Sequence, residues 1–262
     1  MTLWRLIDSG PCAASFNMAL DDAIAASVRE GAEPPTLRFY GWQCPSVSIG
    51  HFQRIADVDP DYCSRENIPV VQRPTGGRAV FHGHELTYSF SSPNDGIFSG
   101  GLFETYRLLS LALEEAFRLA GLTVTVQRSR KADDVRARSP LCFESTSFGE
   151  ISCRGIKLAG SAQRRYRDGF LQQGSIPFSV DSSRLARVFR RPAGSAGPGM
   201  VSGLADFLPG LQPDVLRLHV IESFERLFSV TLERSHPSPR EQERALQLAD
   251  RTYRNLCLPQ EG

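Results

Sequence analysis

The sequence predicts an α+β domain in which mixed β-sheets are flanked by helices. Three observations carry this expectation. Short β-type runs crowd the stretch from residue 36 to residue 90 and recur between about Cys142 and Pro177. Helical periods are few and long. Strands and helices do not alternate in the regular way of a doubly wound sheet. The 262 residues are 41% hydrophobic and 23% charged, ordinary values that exclude a disordered chain, a coiled coil and a collagen-like repeat.

The chain opens on a short strand, Leu3 to Asp8. A helix follows that places Phe16, Leu20, Ala23, Ile24 and Ser27 on its apolar face and Asp21, Asp22 and Arg29 elsewhere. Gly31 and the Pro34-Pro35 pair stop it. Strand-like runs come next at Thr36 to Tyr40, Pro45 to Ile49, Val70 to Gln72, Arg78 to Phe81 and Leu86 to Phe90. Leu102 to Ala120 is the clearest helix, with apolar positions 102, 106, 109, 113, 116, 117 and 120 and a stop at Gly121. A strand, Leu122 to Val126, leads into a polar segment from Arg128 to Pro140. Two or three strands then run to Pro177, with Arg154-Gly155 as a turn. Arg191 to Gly203 is rich in Gly, Ala, Ser and Pro and reads as a loop. Two helices close the chain. The first starts near Pro213 and buries Leu216, Val220, Ile221, Phe224, Leu227 and Phe228; the second starts at Ser238-Pro239-Arg240-Glu241, a capping box with Pro at the first helical position. The expected organisation is a catalytic unit over residues 1–203, with residues 204–262 as helices docked on the same domain.

Thirty basic residues stand against 29 acidic ones, so a general polyanion-binding surface and a nucleic-acid partner are not expected. No run of about 18 apolar residues spans a membrane, and the first ten residues carry no basic-then-apolar leader, which points to the cytoplasm. The six cysteines show neither C-x-x-C nor zinc-finger spacing, so disulfides and a metal site are not expected. The basic residues are 28 arginines and two lysines, Lys131 and Lys157. A lysine retained against such a bias is either drift or is there for a compact ammonium of tunable pKa.

Three stretches concentrate chemistry. Gln72-Arg73-Pro74-Thr75-Gly76-Gly77-Arg78-Ala79-Val80-Phe81-His82-Gly83 joins two strand-like runs; its paired glycines suit either a hairpin turn or a backbone that approaches a carboxylate, phosphate or acyl chain. It is neither a Walker A loop nor G-x-G-x-x-G. Gly155 to Arg164 sets Lys157 in an apolar strand beside Gly160, Ser161, Ala162 and Gln163, where an amine must meet an anion or a polarised carbonyl unless it reaches water from an edge. Pro140 to Glu144 places Cys142 between apolar neighbours, the usual setting of an inert core thiol.

Taken together and in order, these motifs resemble the lipoate/biotin protein ligase superfamily, and within it the LipM-type octanoyltransferases. The likeness runs from Asn17-Met18-Ala19-Leu20-Asp21 through Arg73 to His82, Glu85-Leu86-Thr87-Tyr88-Ser89, Cys142-Phe143-Glu144, Lys157 to Gln163 and Gln173-Gly174-Ser175-Ile176, to the closing helix pair. Gln72 departs from the pattern, since relatives often carry a second arginine ahead of Arg73.

The resemblance implies a class II synthetase-like catalytic domain with Cys142 and Lys157 as catalytic residues. It implies substrate contacts from Arg73, Thr75, Gly76, Gly77, Arg78, Ala79, His82, Gly160, Ser161, Ala162 and Gln163. It also implies octanoyl-acyl carrier protein as donor. The acceptors would be lipoyl-domain proteins: the glycine cleavage H protein or 2-oxoacid dehydrogenase E2 subunits. No cofactor is then required. The alternative within the superfamily is a lipoate ligase, which uses ATP and Mg and would leave Cys142 a bystander. A third alternative is a non-catalytic protein that binds lipoyl domains or acyl groups. Cys142 lies 15 residues before Lys157, the location the resemblance implies for an acyl-accepting thiol.

Overall fold

The computed structural model describes residues 2–127, 150–190 and 202–257. The expectations that fall on 128–149 and 191–201, Cys142 among them, lie outside the described residues.

In chain order the strands are β1 (Thr2–Cys12), β2 (Thr36–Trp42), β3 (Ser46–Ile49), β4 (Val70–Gln72), β5 (Val80–His82), β6 (Glu85–Pro93), β7 (Thr125–Val126), β8 (Ile151–Cys153), β9 (Ile156–Arg165), β10 (Gly169–Pro177) and β11 (Val230–Ser235). The helices are α1 (Ala14–Arg29), α2 (Pro60–Arg65), α3 (Leu102–Leu119), α4 (Ser182–Val188), α5 (Pro213–Phe228) and α6 (Pro239–Arg251). Among the described residues the strands form an eight-stranded sheet ordered β11-β1-β2-β6-β10-β9-β8-β7 and a three-stranded sheet ordered β4-β3-β5. Both sheets are mixed: β1 runs parallel to β2 and β11, β3 parallel to β4, and the other pairs are antiparallel. This is the expected α+β class.

One core joins the large sheet to α3 and α5, with Phe90, Phe98, Phe117 and Phe224 fully buried between them. A second lies under α1, which packs Met18, Leu20 and Ile24 inward and is covered by α6 through Ala245. A third fills the small sheet with Val47, Ile49, Val70 and Val188.

Several local signals act as expected. Arg154 and Gly155 both take positive φ, 50° and 79°, which makes the tight β8–β9 hairpin. Ser238 Oγ accepts the Glu241 amide at 3.3 Å while the Ser238 amide donates to Glu241 at 2.7 Å. Glu241 also ion-pairs with Arg5 of β1 at 2.6 Å, so this cap ties α6 to the sheet.

Other local signals mislead. Asp21, which the helical spacing sets off the apolar face, is completely buried, because Arg38 of β2 meets it. Leu102 and Leu227 are 41% and 42% exposed although their helical positions read as apolar-face sites. β11 intervenes between the two closing helices and pairs in parallel with β1. Two short helices, α2 and α4, were not read from the sequence; each begins behind an aspartate, Asp59 and Asp181, whose carboxylate accepts backbone amides of the first turn. The chain's end returns to the small sheet: Leu256 donates to the Val70 carbonyl at 2.8 Å, and the Val70 amide donates to Asn255 Oδ1 at 3.0 Å.

Candidate active site

The glycine loop leaves β4 at Arg73 and enters β5 at Val80. Arg73 is buried, and its guanidinium is shared between the loop and β3. Nε donates to the Gly76 carbonyl at 3.1 Å, and Nη2 donates to the carbonyls of Gly76 and Arg78 at 2.6 and 2.7 Å. Nη1 reaches back to β3, to the carbonyl and hydroxyl of Ser48, at 3.0 and 3.2 Å. The planar fork thus fixes the turn from inside. Gly77 takes φ +82°, a conformation side chains rarely adopt, and a Cβ there would meet Ala162 of β9 at 3.4 Å. Gly50, just after β3, is crossed so closely by the Gly77 carbonyl that a Cβ would fall on it.

Beneath the loop lies a small cleft. Met18 of α1, Tyr40 and Trp42 of β2, Ser48, Arg73, Val80 and His82 form one side, and Gly160 to Ala162 of β9 with Gln173 to Ser175 of β10 form the other. The glycine-loop stretch and the Lys157 strand therefore share a cavity. Its shape is that of a slot with few polar groups facing in.

Two polar networks hold the walls. In the first, His82 stacks on Trp42, with ring centroids 3.8 Å apart and planes 16° from parallel. Its Nε2 meets Ser48 Oγ at 2.7 Å and its Nδ1 meets Glu85 Oε1 at 2.8 Å. Thr87 also donates to Glu85, and the Trp42 indole donates to Thr87 at 2.9 Å. Burial pushes the Glu85 carboxyl up, but the charge and hydrogen bond of His82, with Thr87 and Ser175, bring it below its ordinary value.

In the second network, Asp21 accepts from Arg38 and Ser89 at 2.6 Å on one oxygen, and from Tyr40 at 2.9 Å and Gln173 at 2.7 Å on the other. Gln173 in turn accepts from the Thr75 hydroxyl at 2.7 Å. Desolvation, followed by the Asp21 charge, holds the Tyr40 phenol well above its ordinary pKa, so it stays a donor. Tyr88 lies across Gly174, where a Cβ would fall on the ring, and its hydroxyl reaches Ser161 Oγ at 3.0 Å.

The remaining expected residues take these places. Lys157 is buried in β9 and ion-paired with Glu150, the anion a buried amine requires; it stands at the start of β9, ahead of the residues 160–162 that line the cleft. Ala79 packs in the small-sheet core. Arg78 gives its carbonyl to Arg73. Gln163 donates to Gln172 at 3.3 Å, next to the cleft rather than in it. Sequence reasoning missed Tyr40, Trp42, Ser48, Glu150 and the buried role of Asp21. Trp42 and Ser48 had no motif to mark them, whereas Glu85 and Asp21 stood inside quoted motifs without an assigned role. Among the described residues no cluster of His, Cys, Asp or Glu is arranged to hold a metal ion, and no helix is long and apolar enough to cross a membrane.

Residues 13–225 match the lipoyl protein ligase A/B catalytic domain. The octanoyltransferase LipM of Moorella thermoacetica is 35% identical over 237 residues, covering 87% of each chain. That of Anoxybacillus flavithermus is 42% identical over 196 residues, covering 72% of this chain and 70% of the other. In fold, the chain is similar to lipoate-protein ligase A bound with ATP, with a TM-score of 0.77, 24% identity, and 95% and 94% of the two chains covered. It is also similar to the bipartite lipoate protein ligase of Thermoplasma acidophilum, with a TM-score of 0.79, 22% identity, and 96% and 93% covered. The fold is thus the class II synthetase-like fold of lipoate ligases, and the chain belongs to the lipoyl protein ligase A/B catalytic-domain family.

Proposed function

We propose that this chain is an octanoyltransferase that moves an octanoyl group from a thioester donor, through a cysteine, to a lysine of a lipoyl domain. The observation that carries the reading is the 35% identity to a LipM octanoyltransferase across 87% of both chains. The slot between the glycine loop and β9 supports it, since a narrow and mainly apolar cavity suits a linear acyl chain. Octanoyl-acyl carrier protein is the proposed donor. The lipoyl domain as acceptor follows the Thermoplasma ligase, whose structure is described with its E2 lipoyl domain.

In this reading the Cys142 thiolate attacks the donor carbonyl, the donor's sulfur leaves as a thiol with one proton, and the octanoyl group stays on Cys142 as a new thioester. The acceptor amine then attacks that thioester. An amide forms, and Cys142 leaves as the thiol. Thioester exchange is nearly isoenergetic, so neither ATP nor Mg is needed, and no other cofactor is proposed. The Lys157 ammonium is the group proposed to favour the thiolate and the developing oxyanion. Its pairing with Glu150 offsets part of the cost of keeping that charge inside the protein. Arg73, Thr75, Gly76, Gly77 and His82 are proposed to shape the acyl site, with Gly160, Ser161 and Ala162 as its opposite wall.

Incubation with octanoyl carrier protein, without ATP, followed by intact-mass spectrometry tests the reading. One added octanoyl group, absent in Cys142→Ala, is expected. Acylation of a lipoyl domain that strictly requires ATP, or a Cys142→Ala enzyme of full activity, overturns it in favour of the lipoate ligase.

A further inference from the structure

The face of the large sheet turned away from the acyl slot carries a second cavity, of about 260 Å³. It lies toward the carboxyl ends of β1, β2 and β11, which run parallel with β1 in the middle. Strand alternation puts Leu6 and Asp8 of β1, Phe39 of β2 and Arg234 of β11 on this face, with Leu6 and Arg234 in register. Arg217 and Ile221, one helical turn apart, face it from α5. The chain leaves β1 for α1 and β11 for α6, and these two helices pack together under the other face. The strand ends on the α5 face are thus left without a crossover helix of their own. A crevice of that kind is where sheets of parallel strands commonly hold ligands.

The lining is divided by chemistry. Leu6, Phe39 and Ile221 form an apolar floor, and Arg217, Arg234 and His236 form the rim. Leu6 and Phe39 are themselves core residues, so the space reaches into an interior that close packing normally leaves with few voids larger than a water. An apolar cavity of about 150 Å³ admits a benzene ring, so there is room here for a body of that size beneath a polar head. Arg217 is engaged by Asp8 at 2.5 Å and by Asp214 at 3.2 Å. Arg234 and His236 are exposed and form no ion pair among the described residues.

We propose that this cavity binds a small monocarboxylate with an apolar body. The carboxylate meets the Arg234 guanidinium with His236 beside it, and the body rests on Leu6, Phe39 and Ile221. A carboxylate accepts two parallel hydrogen bonds from a guanidinium, the geometry of the strongest pairs of this kind. A phosphate dianion fits less well, because Asp8 and Asp214 stand at the same rim and repel each added negative charge. The site is separate from the acyl slot. Leu6 and Phe39 face α5, whereas their sequence neighbours Ile7 and Tyr40 face α1, and Tyr40 lines the slot. The proposal therefore rests neither on Cys142 nor on the octanoyl reading.

Isothermal titration of the full chain with phenylacetate, a carboxylate on a single ring, is the test. Saturable binding at one site is expected. Phenylacetamide, which lacks the charge, and acetate, which lacks the body, are each expected to bind about tenfold more weakly or worse. Arg234→Gln, at an exposed position, is expected to raise the Kd for phenylacetate about tenfold. Ile221→Trp fills the floor and is expected to abolish binding; Arg234→Gln carries the test should that variant fail to fold. Arg251→Gln, at the exposed end of α6, serves as the control with an unchanged Kd. In NMR spectra phenylacetate is expected to shift the amides of residues 234–236 and to leave those of Gly76 and Gly77 in place. The absence of saturable binding, equal affinity for phenylacetamide, a Kd unaltered by Arg234→Gln, or tighter binding of phenyl phosphate overturns the proposal. Shifts confined to Gly76, Gly77 and residues 160–162 would put the probe in the acyl slot and overturn it as well, while octanoyl transfer, measured separately, stands or falls on its own.

Discussion

Arg73→Lys separates a clamp from a ligand contact. The substitution keeps the positive charge and removes the fork. Among the described residues Arg73 donates along different edges of its planar fork to four acceptors: the carbonyl and hydroxyl of Ser48 on β3, and the carbonyls of Gly76 and Arg78 in the loop. A single ammonium reaches one side, so two acceptors lose their donor. Each buried acceptor left unpaired costs about 1–3 kcal/mol. Gly76 is half-exposed and water can replace part of its loss, which puts the sum for two acceptors in the lower half of about 2–6 kcal/mol, about 3 kcal/mol. For a domain of this size the melting temperature falls by about 6–12 °C. Differential scanning fluorimetry measures it, and octanoyl-enzyme formation by mass spectrometry measures the loosened slot as a raised KM for the donor. A variant that melts within about 2 °C of wild type refutes the clamp, and doubly so if its donor binding is lost, because Arg73 would then be touching the acyl group directly.

Lys157→Met strands the Glu150 carboxylate and is expected to lower stability by about 3–5 kcal/mol, with Glu150→Gln in the same chain recovering much of it in urea titrations; Lys157→Arg is not expected to restore transfer, since a guanidinium does not fit an ammonium's place. Gly174→Ala pushes Tyr88 off its bonds to Ser161 and Gln172 and should cost about 1–3 kcal/mol, read from the urea midpoint. Glu85 has a folded-state pKa below its ordinary 4.5, so its stabilising contribution is complete above about that pH and is lost as pH falls through the lower folded value. Urea midpoints of wild type and Glu85→Gln should therefore differ most at neutral pH and converge in acid; a gap independent of pH would contradict the His82–Glu85 pairing.

The large elements were legible because each carries its own period. The α3 stripe, the Ser238 capping box and the Arg154-Gly155 turn are local signals, and each acts through contacts within a few residues. β11 was not legible as a strand, since it is short and its register depends on β1, which lies more than 200 residues earlier. Asp21 misled for a related reason. Helical spacing sets a carboxylate apart from an apolar stripe, but Arg38, Tyr40, Ser89 and Gln173 converge on it from three strands, and that convergence exists only once the sheet is built. The site was half legible. Paired glycines announced a close approach, and the slot under Gly77 and Ala162 is that approach. The role of Arg73 could not be read, because an arginine beside a glycine loop looks the same whether its fork faces a ligand or the loop's own carbonyls. Trp42 and Ser48 are ordinary strand residues until His82 stacks on one and bonds the other.

The two networks also explain why a loop built on two glycines keeps one shape. Glycine loses more conformational freedom on ordering than any other residue, so the loop's own sterics cannot define the slot. Thr75, at its start, is held by Gln173, which Asp21 holds, which Arg38 and Tyr40 hold. Gly76 and Arg78, at its end, are held by Arg73, which Ser48 steadies, and Ser48 is bonded to His82 and through it to Glu85. Each chain of bonds runs from the loop to a buried carboxylate on a different element. Asp21 lies on α1 and Glu85 on β6, so the loop's two halves are referenced independently to the helix and to the sheet. Loosening one half leaves the other in place. Asp21→Asn should therefore disturb the Gln173 wall and spare the Arg73 clamp, and Glu85→Gln the reverse. In the doubly substituted chain both references are gone, and, since the two act independently, the losses of acyl binding should add.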